Sequence, residues 1–259
     1  MSNKPIGIFD SGVGGTSIWK ELHSLLPYEN TIYLADSKNA PYGLKGKYNI
    51  IKLSIKNVEL LLEKDCKLIV VACNTATTNA IKVLRKNYDI PFIGIEPAIK
   101  PAALQTKNKA IGILATKGTL SSDLFHNTAA LYSNGITIVE QNGNGIVELI
   151  EHGKLDSPEM RSLLKEYLSP MIKANIDYLV LGCTHYPYLM PLLLELLPQS
   201  IKIIDSGEAV AKQTKAILAQ HNLLNNATAK PKNKFYTNSN PIVMQTLLNE
   251  NFNAEYLDF

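Results

Sequence analysis

A chain of 259 residues with 46% apolar side chains can bury a core in each of two domains, and its net charge of +3, spread as interspersed Lys and Glu, leaves no footprint for nucleic acid. No apolar run approaches the roughly 18 residues of a membrane span, and strand-like sequence starts at Ile6, too early for a secretion signal before it; a cytoplasmic protein with no membrane partner is expected. Three cysteines, an odd number without metal-ligand spacing, suit a reducing compartment that keeps them as thiols.

Residues 6–10 read as the first strand, and the glycine-rich residues 11–15 turn it into a helix with an apolar stripe of Ile18, Trp19, Leu22, Leu25 and Leu26 that stops at Pro27. Residues 31–36 form a second strand and 37–43 a loop. Ile51, Ile55, Val58, Leu61 and Leu62 mark one face of the next helix. The run CKLIVVACNTAT from Cys66 reads as a buried parallel strand ending at Cys73, followed by a helix to about Lys86 and a strand at 91–95. A second half begins near 96–101, with strands expected at 110–114, 136–140, 178–181 and 201–204 and amphipathic helices between them. Lys230 to Lys234 reads as a solvated linker, and 236–240 with 255–259 complete a last strand, helix and strand unit, assigned to the first domain. This alternation predicts an α/β fold of two pseudo-symmetric α/β domains with mainly parallel sheets, the active site in the interdomain cleft. The first domain is expected to span 1–97 plus 208–259, the second 98–207.

The halves repeat. CKLIVVACNTAT matches DYLVLGCTHYPY with Cys73 and Cys183 110 positions apart; PIGIFDSGVG matches AIGILATKG, with Gly7 and Gly112 105 apart; FIGIEP matches KIIDSG, with Glu96 and Asp205 109 apart. Matches in one order at nearly constant offset point to duplication, which places both cysteines at equivalent strand ends, where open α/β sheets collect ligands.

DSGVGGTS lacks the Lys of a phosphate loop and has Ser17 at the third glycine position of a dinucleotide fingerprint; it reads as a glycine turn that exposes the Asp10 carboxylate and backbone donors to an anionic ligand, with a plain structural turn in which Asp10 caps the helix as the alternative. Each cysteine stands where a strand is expected to become a helix, near the positive end of a helix dipole that lowers a thiol pKa. An unperturbed thiol of pKa ~8.5 is only about 3% thiolate at pH 7, so a cysteine base needs such help. Asn74, Thr75 and Thr184 add donors at the same strand ends. His185 can take or hold a proton beside Cys183, and Asp10 is its counterpart in the other half. Helical period alone turns Glu148 and Glu151 toward solvent. Two thiols across a cleft suit removal of a proton from one face of a carbon and delivery to the other, which is racemisation or epimerisation. Cys73, Cys183, His185 and Asp10 form a competing zinc set that no spacing demands, and no C-x-x-C redox pair is present. A dinucleotide-dependent oxidoreductase and a non-catalytic binding protein are the readings from other classes.

FDSGVGG from Phe9, PYG from Pro41, ACNTAT from Ala72 and GCTHYP from Gly182 resemble the motifs of glutamate racemases in the cofactor-independent aspartate/glutamate racemase family, in the expected order over nearly the whole chain. The resemblance implies interconversion of L- and D-glutamate for peptidoglycan synthesis, with Cys73 working on the D-enantiomer and Cys183 on the L-enantiomer; an aspartate or related amino-acid racemase with the same cysteines is the alternative within the class. It carries substrate contacts onto Asp10, Ser11, Pro41, Tyr42, Gly43, Asn74, Thr75, Thr184 and His185, and matches the family's helper carboxylate to Glu151. No cofactor and no metal are implied, and a homodimer is expected. Thr16 and Gly46 depart from the family's usual residues. Only Arg85 and Arg161 could offer guanidinium groups, and both lie in helical stretches away from the motifs, so helix ends and turns must hold the substrate's carboxylates. No Schiff-base lysine with a phosphate cradle is identifiable, so the proton must leave without an electron sink. Residues 1–5 offer no extension of the kind some members use to bind a cell-wall precursor, so activity without one is expected.

Overall fold

A computed structural model describes residues 2–225, 230–248 and 252–259. The strands are β1 (Ile6–Asp10), β2 (Thr31–Ala35), β3 (Leu68–Val71), β4 (Phe92–Gly94), β5 (Ala110–Ala115), β6 (Thr137–Asn142), β7 (Tyr178–Gly182), β8 (Lys202–Ile204), β9 (Asn233–Thr237) and β10 (Ala254–Tyr256). Between them run α1 (Thr16–Leu25), α2 (Gly46–Glu63), α3 (Asn74–Asn87), α4 (Ile99–Gln105), α5 (Lys117–Leu120), α6 (Asp123–Tyr132), α7 (Ile146–Glu151), α8 (Pro158–Lys173), α9 (Met190–Leu196), α10 (Gly207–Gln220) and α11 (Ile242–Leu248).

The strands form two sheets, ordered β10-β9-β2-β1-β3-β4 and β6-β5-β7-β8, and every pairing among the described residues is parallel. β1, β3, β5 and β7 are buried along their whole length, because helices cover both faces of the sheet. That burial is why their sequences run apolar without alternation, whereas the edge strand β6 is half-exposed and carries Glu140, Gln141 and Asn142.

The duplication is visible in the topology. The order β2-β1-β3-β4 is repeated as β6-β5-β7-β8, and the register repeats with it: Gly7 faces Ile69 and Gly112 faces Leu179. Cys73 and Cys183 each lie four residues past those partners, so the chain delivers both thiols at the same level beyond equivalent strands.

The C-terminal unit returns to the first sheet, β9 pairing with β2 and β10 with β9. β9 lies three residues earlier than the expected 236–240: the five residues of β2 pair in register with Asn233–Thr237, and the carboxamide of Asn238, the next residue, turns onto Asp36. One apolar cluster runs through both halves, joining Ile8, Trp19 and Tyr33 to Leu179, Leu181 and Tyr186, and α10 packs on α1. The two sheets therefore meet across a continuous core with their carboxyl-end loops facing each other.

Candidate active site

Parallel strands put all their carboxyl ends on one edge, so β1 delivers Asp10 and Ser11, β3 delivers Cys73 and Asn74, and β7 delivers Cys183, Thr184 and His185 to one place. Pro41, Tyr42, Gly43, Thr75, Thr116, Val147 and Gly182 complete the lining of a slot between the halves. The slot leaves about 10 Å³ free, room for about one water molecule. Every candidate catalytic or substrate-contact residue borders this slot directly or, in the case of Asp10 and Glu151, bonds to a residue that does.

The two thiols are not equally placed on helices. Cys73 caps α3, its sulfur accepting from the Ala76 N–H at 3.4 Å. Cys183 is followed by a short loop and a 3-10 turn at Tyr186–Leu189, with α9 starting only at Met190, so the expected helix end is absent there. His185 caps that turn, and Pro187 near its start supplies no N–H. Nor does the cap lower Cys73 overall. Complete burial pushes its thiol well up, the Asp10 charge adds to this, and the Ala76 bond only partly opposes it.

Asp10 is fully buried. Its Oδ1 accepts the Ser11 N–H at 2.7 Å, while Oδ2 accepts the Gly15 N–H at 2.6 Å and the Thr184 hydroxyl at 3.1 Å. Desolvation nevertheless raises its pKa, with His185 and Cys73 pulling the other way. His185 lies with Nδ1 3.7 Å from the Cys183 sulfur and 4.0 Å from Asp10 Oδ2, and Nε2 2.6 Å from Glu151 Oε1. Burial resists charging the ring, but its bonds to Cys183 and Glu151 outweigh that and hold its pKa well above the ordinary value.

Glu151 corrects the reading from helical period. It ends α7 with its side chain 11% exposed, and besides His185 it accepts the Val13 N–H at 2.7 Å and the Ser37 hydroxyl at 2.7 Å. The glycine turn thus does present a donor to a carboxylate, and that carboxylate belongs to the chain itself. Here lies the reason for two of its glycines: a Cβ at Gly12 would stand 1.9 Å from Glu151 Oε1, and one at Gly14 2.2 Å from His185 Nδ1. Glu148 is half-buried and lines a neighbouring hollow with Glu151 and His152.

Thr116 escaped the sequence reading. Its hydroxyl meets that of Thr75 at 2.7 Å across the two halves. The repeat pointed to it, because Thr116 stands 105 positions after Ser11, the offset that relates Gly7 to Gly112. Asn74, which the sequence offered as a donor, borders the slot, and its buried carboxamide oxygen has no hydrogen-bond partner. Among the described residues no three His, Cys, Asp or Glu side chains converge as a metal site. What the arrangement can do is move protons: two buried thiols share one slot, one beside a carboxyl group and one beside an imidazole braced by a second carboxylate.

The direction of these shifts has a thermodynamic consequence. Asp10, Cys73 and His185 all have raised values in the folded chain, so the folded site binds more protons than the unfolded chain does. Their stabilisation is complete below the unfolded value and is lost as pH rises through the folded one, and for His185 this window opens at about 6.5. The melting temperature is expected to fall between about pH 6.5 and 9, more steeply for the wild type than for His185→Asn. Equal slopes in the two proteins contradict the raised imidazole.

Residues 14–214 match the family model described as Asp/Glu/Hydantoin racemase. The glutamate racemase of Herpetosiphon aurantiacus is 44% identical over 241 residues, covering 93% of this chain and 95% of that protein. Among solved structures, Escherichia coli glutamate racemase in complex with L-glutamate and activator UDP-MurNAc-ala superposes with a TM-score of 0.87 at 35% identity, covering 98% of each chain. The Francisella tularensis glutamate racemase in complex with D-glutamate does so with a TM-score of 0.84 at 30% identity, covering 100% of this chain and 98% of that one. No helix among the described residues is long and apolar enough to cross a membrane. With a family model spanning most of its length and relatives aligned over nearly all of it, the chain belongs to the Asp/Glu/Hydantoin racemase family.

Proposed function

We propose that the protein interconverts L- and D-glutamate by two-base proton transfer and so supplies D-glutamate for peptidoglycan synthesis. The observation that carries this reading is the pair of buried thiols, set at equivalent strand ends in one slot, each with its own acid–base neighbour. The similar proteins of E. coli and F. tularensis, held with L- and D-glutamate, supply the substrate.

In the L-to-D direction the Cys183 thiolate removes the Cα proton, the electron pair is left on Cα beside the substrate carboxylate, and the Cys73 thiol delivers its proton to the opposite face. The reverse direction exchanges the roles. His185, held protonated by Glu151, stands 3.7 Å from Cys183 and can return a proton to it. Asp10 serves Cys73. Ser11, the main chain at Tyr42 and Gly43, Thr75 and Thr184 face the substrate's carboxylates, while the unpartnered Asn74 oxygen accepts from its ammonium group. A slot with room for about one water must widen to admit glutamate, and closing again removes water from the reacting carbon. A homodimer in the reducing cytoplasm completes the proposal.

Chiral chromatography after incubation with L-glutamate, with no cofactor or precursor added, is expected to show equal amounts of both enantiomers. Racemised aspartate with untouched glutamate assigns the chain to the sister activity instead, and no product from either, from folded and reduced protein, overturns the reading. Because enantiomers have equal free energy, any variant must lose kcat/KM equally in both directions. Asymmetry therefore shows elsewhere. His185→Asn is expected to lower kcat by about a hundredfold to ten-thousandfold and to give a larger Cα-deuterium isotope effect with L- than with D-glutamate, since abstraction by Cys183 becomes limiting. Equal isotope effects with the two enantiomers remove His185 from the Cys183 side.

A further inference from the structure

Asp36 follows β2 and is fully buried behind the slot rather than in it. Its carboxylate gathers four donors. The Tyr42 hydroxyl donates to Oδ2 at 2.5 Å, and Asn39 Nδ2, Lys56 Nζ and Asn238 Nδ2 donate to Oδ1 at 2.9, 3.1 and 2.6 Å. These come from the loop after β2, from α2 and from the turn after β9, so segments more than 200 positions apart converge on one carboxylate. Asn57 of α2 adds a bond to the Tyr42 hydroxyl at 3.0 Å, and Asn238 Oδ1 accepts the Lys38 N–H at 2.9 Å. Lys56 and Asn238 also reach the main-chain oxygen of Phe259, at 3.2 and 3.1 Å.

A carboxylate this deep persists only when its lone pairs are satisfied and a cation stands by, and here both conditions hold. Of the residues in the network only Tyr42 lines the slot. Its side chain points into the network while its main chain, with Pro41 and Gly43, forms one wall of the site. The loop has no sheet to hold it, only two 3-10 turns at Ser37–Asn39 and Tyr42–Leu44. The tyrosine is thus an anchor through which a buried charge sets the position of the substrate wall.

We infer that Asp36, with Lys56 and Asn238, is a positioning residue that fixes the Tyr42 side chain and so holds residues 41–43 at the spacing the substrate's carboxylate requires. This rests on the glutamate reading above. It also gives the C-terminal unit a task in the site, since Asn238 is its contribution to the wall.

The wall contacts substrate equally before and during proton transfer, so loosening it should weaken binding more than it slows chemistry. In the full-length protein, Asp36→Asn and Tyr42→Phe are each expected to raise KM and the calorimetric Kd for glutamate by about tenfold to a hundredfold, with kcat changed by less than about threefold. The double variant is expected to be no worse than the worse single one, because both break one chain of contacts. Asn238→Ala should give a smaller shift of the same kind. If Asp36→Asn folds poorly, Tyr42→Phe, which keeps the packed ring, carries the test. Variants with a lowered melting temperature but an unchanged Kd and KM in the folded fraction, or additive effects in the double variant, overturn the positioning role. Wild-type protein that neither binds nor turns over glutamate overturns the function reading itself, and this role with it.

Discussion

A thiol must ionise to take a proton from carbon, and burial is what a thiolate tolerates least. In the proposed reaction, which has no electron sink, enclosure supplies a dry, fixed field around the substrate. The same enclosure pushes the Cys73 thiol well up. The rest of the site answers that conflict: each sulfur is given a neighbour that can exchange a proton with it, and each neighbour is itself held by bonds that fix its charge and orientation. His185 is braced by Glu151, and Asp10 is cradled by the Ser11 and Gly15 N–H groups.

The bracing crosses between the halves, which couples the chemistry to closure. Glu151 belongs to the second half, yet it accepts from Val13 and Ser37 of the first; Thr184 of the second half donates to Asp10 of the first. Thr75 and Thr116 meet in the same manner. Under the proposed function, parting of the halves to admit glutamate opens these bonds together, and closing restores the thiols' partners as water is excluded.

Much of this was legible in the residues. Continuous apolar runs marked the buried strands, and the repeat at nearly constant offset anticipated the twofold topology and the matched positions of Cys73 and Cys183. What escaped was set by tertiary contact. Six residues of helix cannot tell a cleft-facing Glu151 from a solvent-facing one by period. The glycines of the first turn announce a close approach but not what approaches, and only the folded chain shows His185 and Glu151 there. Thr16, which sequence marked only as a departure, is buried with its hydroxyl 2.6 Å from that of Tyr188 in the opposite half. Asp36 read as the end of a strand, because the lysine, asparagines and tyrosine that make it an anchor are scattered along the chain.

The central claim is that each thiol serves one face of the substrate carbon. Proton NMR of the Cα signal in heavy water, with each enantiomer and each folded cysteine variant, tests it directly. Cys73→Ala and Cys183→Ala are each expected to lose inversion in both directions, since every turnover needs one sulfur to abstract and one to deliver. A remaining thiolate can still remove the proton it faces and return deuterium to the same side. Slow exchange without inversion is therefore expected for D-glutamate alone in Cys183→Ala and for L-glutamate alone in Cys73→Ala. Inversion at an appreciable rate by either variant, or exchange with no preference for an enantiomer, contradicts the account.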